Sequence, residues 1–347
     1  MRVLLTGAAG YVGAVARAVL EDEGHDVVGL DTGLYDGCDL GDAPPPTDLR
    51  LDVRDVEERH LDGFGAVVHL AALSNDPVGD LDPALTYAIN HEATVRLAEV
   101  ARARGVERFV FASSCSMYGT SGAAAAIDES APLAPITAYA ESKVSSEHSL
   151  SALADDGFSP VFLRFATAYG VSPRLRLDVV LNNLVGWAVT TGAVRLQSDG
   201  SAWRPLIHVE DMARAVSAAL SVPRERIHGQ AFNAGADEAN YLIRDLALLV
   251  GEVVPGAVVE LAEGAGTDPR SYRVDFSRIA DELAFRPEWD ARSGAEQLAR
   301  AYRSVEMDEA MFSSDRFVRL ARVKTLLAAG RIDEELRWTA LSERITA

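Results

Sequence analysis

Short apolar runs alternate with segments of helical period through the first half of the chain. "RVLLTG" is a β-branched and leucine run ending in glycine, and "AVARAVLEDEG" follows with apolar residues at helical spacing and a closing glycine. "HDVVGLD" reads as a second strand. The alternation continues through "AVVHLAA", the helix "ALTYAINHEATVRLAEVARARG", the strand "RFVFASS", a helix carrying Tyr139 and Lys143, and the strand "SPVFLRFAT". Strands alternating with helices predict a parallel sheet covered on both faces, and right-handed crossovers make it doubly wound.

After about Gly170 this rhythm breaks. "VSPRLRLDVVLNNLVGWAVTTG" reads as a loop and then a helix, "WRPLIHVEDMARAVSAAL" as a short strand and a helix, and "QAFNAG" as a buried strand that returns to the sheet. The expected fold class is α/β: a doubly wound parallel (Rossmann) sheet with a smaller α+β lobe and a helical C-terminal tail. The expected division is 1–170 for the sheet domain, with returning segments near 203–236. A discontinuous smaller lobe takes 171–310 and a helical extension 311–347. The amphipathic pattern of "DRFVRLARVKTLLAAGRIDEELRWTALSERITA" predicts a helix packed on its own domain.

Composition narrows the class. A hydrophobic fraction of 48% with 24% charged residues is that of an ordinary globular protein. A formal charge of −19 argues against nucleic acid as a partner, since no basic stripe offsets it. No apolar run reaches the roughly 18 residues of a membrane span, and the N-terminal run is too short for a signal peptide. Two cysteines supply neither a disulfide framework nor a zinc site, and the seven histidines show no ligand spacing. No metal and a cytoplasmic location are expected.

"TGAAGYVG" sets Gly7, Gly10 and Gly13 at three-residue spacing between a strand and a helix. Such glycines allow a tight turn and close backbone approach, while the helix N-terminus, with Tyr11 and Val12 in its first turn, offers unpaired amides to a pyrophosphate. Glycine-rich turns also arise for purely steric reasons, so the context matters. Asp31 ends the second strand, where an acid bonds ribose hydroxyls and repels a 2′-phosphate. No arginine follows in "DTGLYDG", so the expected cofactor is NAD rather than NADP.

The basic residues carry a further signal. Of 33, only Lys143 and Lys324 are lysine. Lys143 stands four residues after Tyr139, on the same face of the helix. A free phenol titrates near 10, and a neighbouring ammonium favours the phenolate. Arginine is a poor replacement, because its planar fork places charge differently. Upstream, "FVFASSCSMYG" ends a buried strand in hydroxyl residues, so Ser113, Ser114 and Ser116 stand at the carboxyl edge of the sheet, where ligands bind.

These segments together resemble the extended short-chain dehydrogenase/reductase family, specifically its NAD-dependent nucleotide-sugar epimerases and dehydratases. "TGAAGYVG", Asp31, "LDV" at 51–53, "HLAA", "SSCSMYG", "YAESK" and "RPLIHVED" match in order and spacing over about 300 residues. The resemblance implies a Ser114, Tyr139 and Lys143 catalytic set. It implies that Asp52 and Val53 lie near adenine, that Leu70, Ala71 and Ala72 lie beside the cofactor, and that Asn90 supports it. It places Arg204 on a nucleotide diphosphate, with Asn183 and Arg270 as further substrate contacts beside Cys115, Ser116 and Thr167. The family often pairs through two helices, which implies a homodimer.

The departures from the family pattern bear on the outcome of the reaction. Sugar 4,6-dehydratases of the family carry Asp and Glu after the catalytic hydroxyl residue, and here those places hold Cys115 and Ser116. A serine is no substitute for a carboxylate as a carbon-acid base, so a 4-epimerase is expected ahead of a dehydratase or ketoreductase. Cys115 is also a candidate for assisting 3- or 5-epimerisation, against its reading as a small buried side chain. Thr167 replaces a common substrate-contacting asparagine, and "GAGTDPRSY" replaces an Arg-Pro-Gly element, which points to an unusual hexose. A reading of another class is a non-catalytic dinucleotide sensor, which the presence of both Tyr139 and Lys143 disfavours.

Overall fold

Successive residues of the strand Arg2–Thr6 serve opposite cores. Val3 and Leu5 pack with Ala16 and Leu20 of the helix Tyr11–Asp22 and with Met212 and Val216 of the helix Val209–Ser221, whereas Leu4 packs with Leu97 and Ala101 on the other side. This is the strand period of two used on both faces. It explains why the strands read as continuous apolar runs.

The computed structural model describes residues 1–74, 82–120, 125–266 and 271–339. Its main sheet has seven strands. From one edge they run Gln230–Ala234, Ser159–Phe165, Arg108–Ser114, Ala66–His69, Arg2–Thr6, Asp26–Asp31 and Leu49–Arg50. Every pairing is parallel, as in Val3 with Val27 on one side and Ala66 on the other. The order reverses between Arg2–Thr6 and Ala66–His69, which opens a crevice beyond the carboxyl ends of the strands. "QAFNAG" does return to the sheet, as the edge strand Gln230–Ala234 beside Ser159–Phe165.

The later segments build smaller sheets. Thr167–Tyr169, Trp203–His208 and Asn240–Leu242 form one of three strands, and Ala193–Ser198 pairs with Val258–Gly266. The helices Val180–Thr191, Ile243–Val253 and Ala291–Ser304 share a separate apolar cluster around Leu181, Leu246 and Leu298.

Two elements differ from the sequence reading. The helix read from residue 84 onward contains a π turn, Ala88–Glu92, between Pro83–Tyr87 and Ala93–Ala103. Hydrophobic periodicity does not register one inserted residue, and such turns cluster where a side chain must be re-aimed. Among the described residues the tail is helical over Glu309–Phe312 and Arg319–Ala328, with a turn and a fold-back after the second. Gly330, at φ +62°, stops the second helix, with Gly330 N–H donating to Leu327 O and Arg331 N–H to Leu326 O. That is a Schellman ending. The chain then folds back through a bridge between Ile332 and Trp338.

Candidate active site

One cavity of about 990 Å³ runs along the carboxyl edge of the sheet into the second cluster. The first strand delivers Gly7 to it in the left-handed region, φ +72°, where a Cβ would meet Ala71 N at 2.8 Å. At Gly13 a Cβ would stand 2.0 Å from Gly7 O, so helix and strand approach more closely than any side chain permits. The fold therefore requires glycine at these two positions on steric grounds alone. Gly10 caps the helix Tyr11–Asp22 without a side-chain bond, leaving first-turn amides with no intrahelical acceptor. Gly7, Gly10, Tyr11, Val12 and Gly13 all line the cavity.

Asp31 closes the second strand at the same wall. Its carboxylate accepts from Ala9 N–H at 3.1 Å and Gly33 N–H at 2.8 Å. Burial raises its pKa, against the lowering by those two amides. At half-buried Asp52 desolvation also pushes the carboxyl up, but its pKa is lowered overall because Arg54 grips it at 2.6 and 2.9 Å. A tight glycine turn, an open helix N-terminus and an acid at the next strand end fit a dinucleotide such as NAD. Val53, Leu70, Ala71 and Ala72 complete that wall.

Asn90 does not line the cavity. The π turn aims it behind the wall, where Oδ1 accepts from Leu73 N–H at 2.8 Å and Nδ2 donates to Leu73 O at 3.1 Å. Nδ2 also reaches Ser142 Oγ at 3.3 Å, and Ser142 Oγ donates to Tyr139 O at 2.7 Å. Asn90 thus joins the segment after Ala72 to the helix that carries Tyr139.

That helix, Ala138–Leu153, begins at Thr137, whose hydroxyl accepts from Ala140 N–H at 3.2 Å. The cap places Tyr139 and Lys143 over the end of the strand Arg108–Ser114. Lys143 is only 3% exposed; Nζ donates to Ala112 O at 2.7 Å and lies 5.7 Å from the centre of the Tyr139 ring. Burial pulls its pKa down to about 7, and Glu147 opposes that shift. Ser114 ends the strand and donates to Ser116 Oγ at 2.9 Å. Ser114, Ser116, Tyr139 and Lys143 all face the cavity.

Cys115 corrects the expectation of a substrate contact. It is fully buried, its thiol donates to Arg164 O at 3.1 Å, and burial pushes its pKa up. The short 3-10 turn after Ser114 rotates it into the core, which spacing alone does not reveal. Behind it, Arg164 binds Glu147 at 2.7 Å, and Ser113 donates to Glu147 Oε1 at 2.5 Å.

The far end of the cavity takes Thr167, Asn183 and Arg204. Arg204 lies 5.7 Å over the Tyr272 ring, and Asn183 Nδ2 donates to Leu177 O at 3.0 Å. Arg270 lies outside the described residues. Sequence reasoning missed Arg176 and Asp178, which pair at 2.8 Å on the wall, and Arg319 and Leu336 from the tail. The alternating charges of "SPRLRLD" were the available signal for the first two. Among the described residues no cluster of His, Cys, Asp or Glu is placed to hold a metal ion, and no helix is long and apolar enough to cross a membrane.

The chain is 32% identical over 310 residues to UDP-glucose 4-epimerase of Corynebacterium glutamicum, covering 83% of this chain and 91% of that protein. It is 31% identical over 307 residues to dTDP-glucose 4,6-dehydratase of Streptomyces griseus, covering 84% and 91%. The solved complex of MoeE5 with UDP-glucuronic acid and NAD superposes with a TM-score of 0.75 at 28% identity, over 88% of this chain and 99% of that one. The model of the NAD dependent epimerase/dehydratase family matches residues 3–235, the span that builds the glycine turn, the Tyr139 helix and Arg204. With that match and that site, the chain belongs to the NAD-dependent epimerase/dehydratase family.

Proposed function

We propose that the protein is a nucleotide-sugar 4-epimerase, with Tyr139 as the acid–base residue. The observation that carries this reading is that Ser114, Tyr139 and buried Lys143 share one cavity with the glycine turn and with Arg204. NAD, when bound, supplies the hydride acceptor and later the donor. Tyr139, as phenolate, takes the proton of the sugar hydroxyl. Ser114 Oγ hydrogen-bonds the reacting oxygen. Lys143 stabilises the phenolate, and the incipient phenolate in turn holds the proton on Lys143 against burial. After the keto sugar turns over in the cavity, Tyr139 returns the proton to the other epimer. Arg204 and Asn183 hold the diphosphate and sugar, and Asp31 and Asp52 the adenosine end of the cofactor.

The acid groups favour epimerisation over dehydration. Among the described residues, the carboxylates lining the cavity are Asp31, Asp52 and Asp178. The first two stand at the cofactor wall and the third is paired with Arg176. Ser116 occupies the place beside Ser114 where elimination needs a carboxylate. The same reading divides the chain into a dinucleotide-binding domain, 1–170 with returning segments near 203–236, and a substrate lobe within 171–310. It makes the enzyme a cytoplasmic homodimer paired through helices.

A panel of UDP-, GDP-, CDP- and dTDP-hexoses, with products identified by NMR, tests the assignment. An epimer formed over many turnovers without added nicotinamide cofactor is the expected result. A 4-keto-6-deoxy product, or reaction that stops after one equivalent, would overturn it.

A further inference from the structure

The tail reaches the cofactor end of the cavity by two routes. The first is Arg319, at the start of the helix Arg319–Ala328. This segment is fixed to the cavity wall: Leu177 N–H donates to Phe317 O at 2.9 Å, and the Arg319 amide bonds the Asp178 carboxylate. The Arg319 side chain is 4% exposed and lines the cavity. Its guanidinium lies 4.2 Å over the Tyr35 ring, four residues after Asp31, and Nη2 donates to Arg174 O at 2.9 Å. Nη1 is buried with no partner. An arginine stays charged, and a buried cation with an unused donor is costly unless an anion completes it. Asp178 is already engaged by Arg176.

The second route is the turn-back after Gly330. Asp333 N–H donates to Arg337 O at 2.9 Å and Thr339 N–H to Arg331 O at 3.1 Å, closing a small hairpin. Its tip residue Leu336, at φ +57°, lines the cavity and packs with Leu73, Val323 and Leu326. The hairpin is tied to both cofactor-side segments. Trp338 Nε1 donates to Thr32 O at 2.7 Å, next to Asp31. Arg54, which grips Asp52, donates to Glu335 O at 2.9 Å, and Arg337 bonds Asp55 at 2.6 Å. MoeE5 is matched over 99% of its length by 88% of this chain, so this chain carries residues beyond the shared fold.

We infer that Arg319 and the hairpin of residues 331–338 form part of the dinucleotide site: Arg319 takes a diphosphate through Nη1, which has no protein partner, and the hairpin covers the adenosine end. The inference rests on the NAD reading. The diphosphate is the cofactor's, because Arg319 stacks on the segment after Asp31 and the hairpin bonds the residues just after Asp31 and Asp52. The tail then slows release, which suits an enzyme whose cofactor must return the hydride it accepted.

The test is equilibrium and stopped-flow binding of NAD, ADP and UDP to the full-length protein freed of nucleotide, with no turnover involved. Arg319→Gln is expected to weaken NAD and ADP by about tenfold to a hundredfold, the worth of one charge-assisted hydrogen bond, and to leave UDP unchanged. Trp338→Ala is expected to speed NAD dissociation, and Lys324→Gln, on the exposed face of the same helix, to change nothing. Weakening of UDP without ADP would move the diphosphate to the substrate and overturn the assignment. Unchanged NAD binding in Arg319→Gln overturns it as well. If Arg319→Gln does not fold, Trp338→Ala decides alone, and a wild-type dissociation rate rejects the proposal. A wild-type protein that binds no NAD would sink the cofactor reading and this inference together.

Discussion

Lys143 Nζ donates to Ala112 O at 2.7 Å, and this bond anchors an ammonium in a site where burial has brought its pKa to about 7. The folded value lies below the ordinary 10.5, so the unfolded chain binds more protons between about pH 7 and 10.5. Stability of the nucleotide-free protein therefore rises with pH through that window as far as this group is concerned. Lys143→Met removes the penalty. Thermal melts from pH 6.5 to 10 are expected to show its stability relative to wild type falling steadily as pH rises. A constant offset would contradict the low value.

Tyr139→Phe keeps the ring and loses the proton. Turnover is expected to fall by about 10²–10⁴-fold, the usual worth of a general acid–base group, while NAD binding stays within a few-fold of wild type. Isothermal titration beside NMR progress curves separates the two. A normal rate would remove Tyr139 from the chemistry.

Cys115 faces the core, so Cys115→Ala is expected to keep kcat within about threefold and to cost at most a kcal/mol or two of stability for the small volume lost. Alkylating reagents are expected to leave the native thiol unmodified, as read by mass spectrometry. A large loss of turnover in Cys115→Ala would restore the cysteine to the reaction.

Arg164 of the strand Ser159–Phe165 and Glu147 of the Tyr139 helix form a buried pair at 2.7 Å. Arg164→Met strands the Glu147 carboxylate and is expected to cost about 3–5 kcal/mol in urea unfolding. Arg164→Met with Glu147→Met is expected to recover part of that loss. No recovery would mean that the cost comes from packing or from the Tyr118 bond at 3.0 Å, not from the stranded charge.

His69 sits between Thr6 Oγ1 and Thr94 Oγ1, both at 2.7 Å, and burial lowers its pKa from 6.5 to about 3, with Lys143 adding to the shift. The ring is neutral in the fold and protonated in the unfolded chain between those values, so it withdraws stability as pH falls from 6.5 toward 3. His69→Gln is expected to flatten the pH dependence of unfolding in that window. An unchanged slope would assign acid sensitivity to other groups.

The chain by itself determined the doubly wound sheet, because strands buried on both faces must be continuously apolar and the helices between them must repeat at helical period. It also located the glycine turn, Asp31 and the Tyr139–Lys143 pair, since each depends on neighbours within a few residues along one element. What it left undecided depends on distant segments meeting. Cys115 and Ser116 are adjacent in sequence, yet one 3-10 turn sends the first into the core and the second to the cavity. Asn90, which the resemblance sets in support of the cofactor, is aimed by the π turn at Leu73 behind the wall. The tail reads as one amphipathic helix because periodicity records which residues are apolar and not where Gly330 turns the chain. Only the tertiary structure brings Arg319 and Leu336 to a cavity opened by Gly7, and that depends on long-range packing that no local pattern encodes.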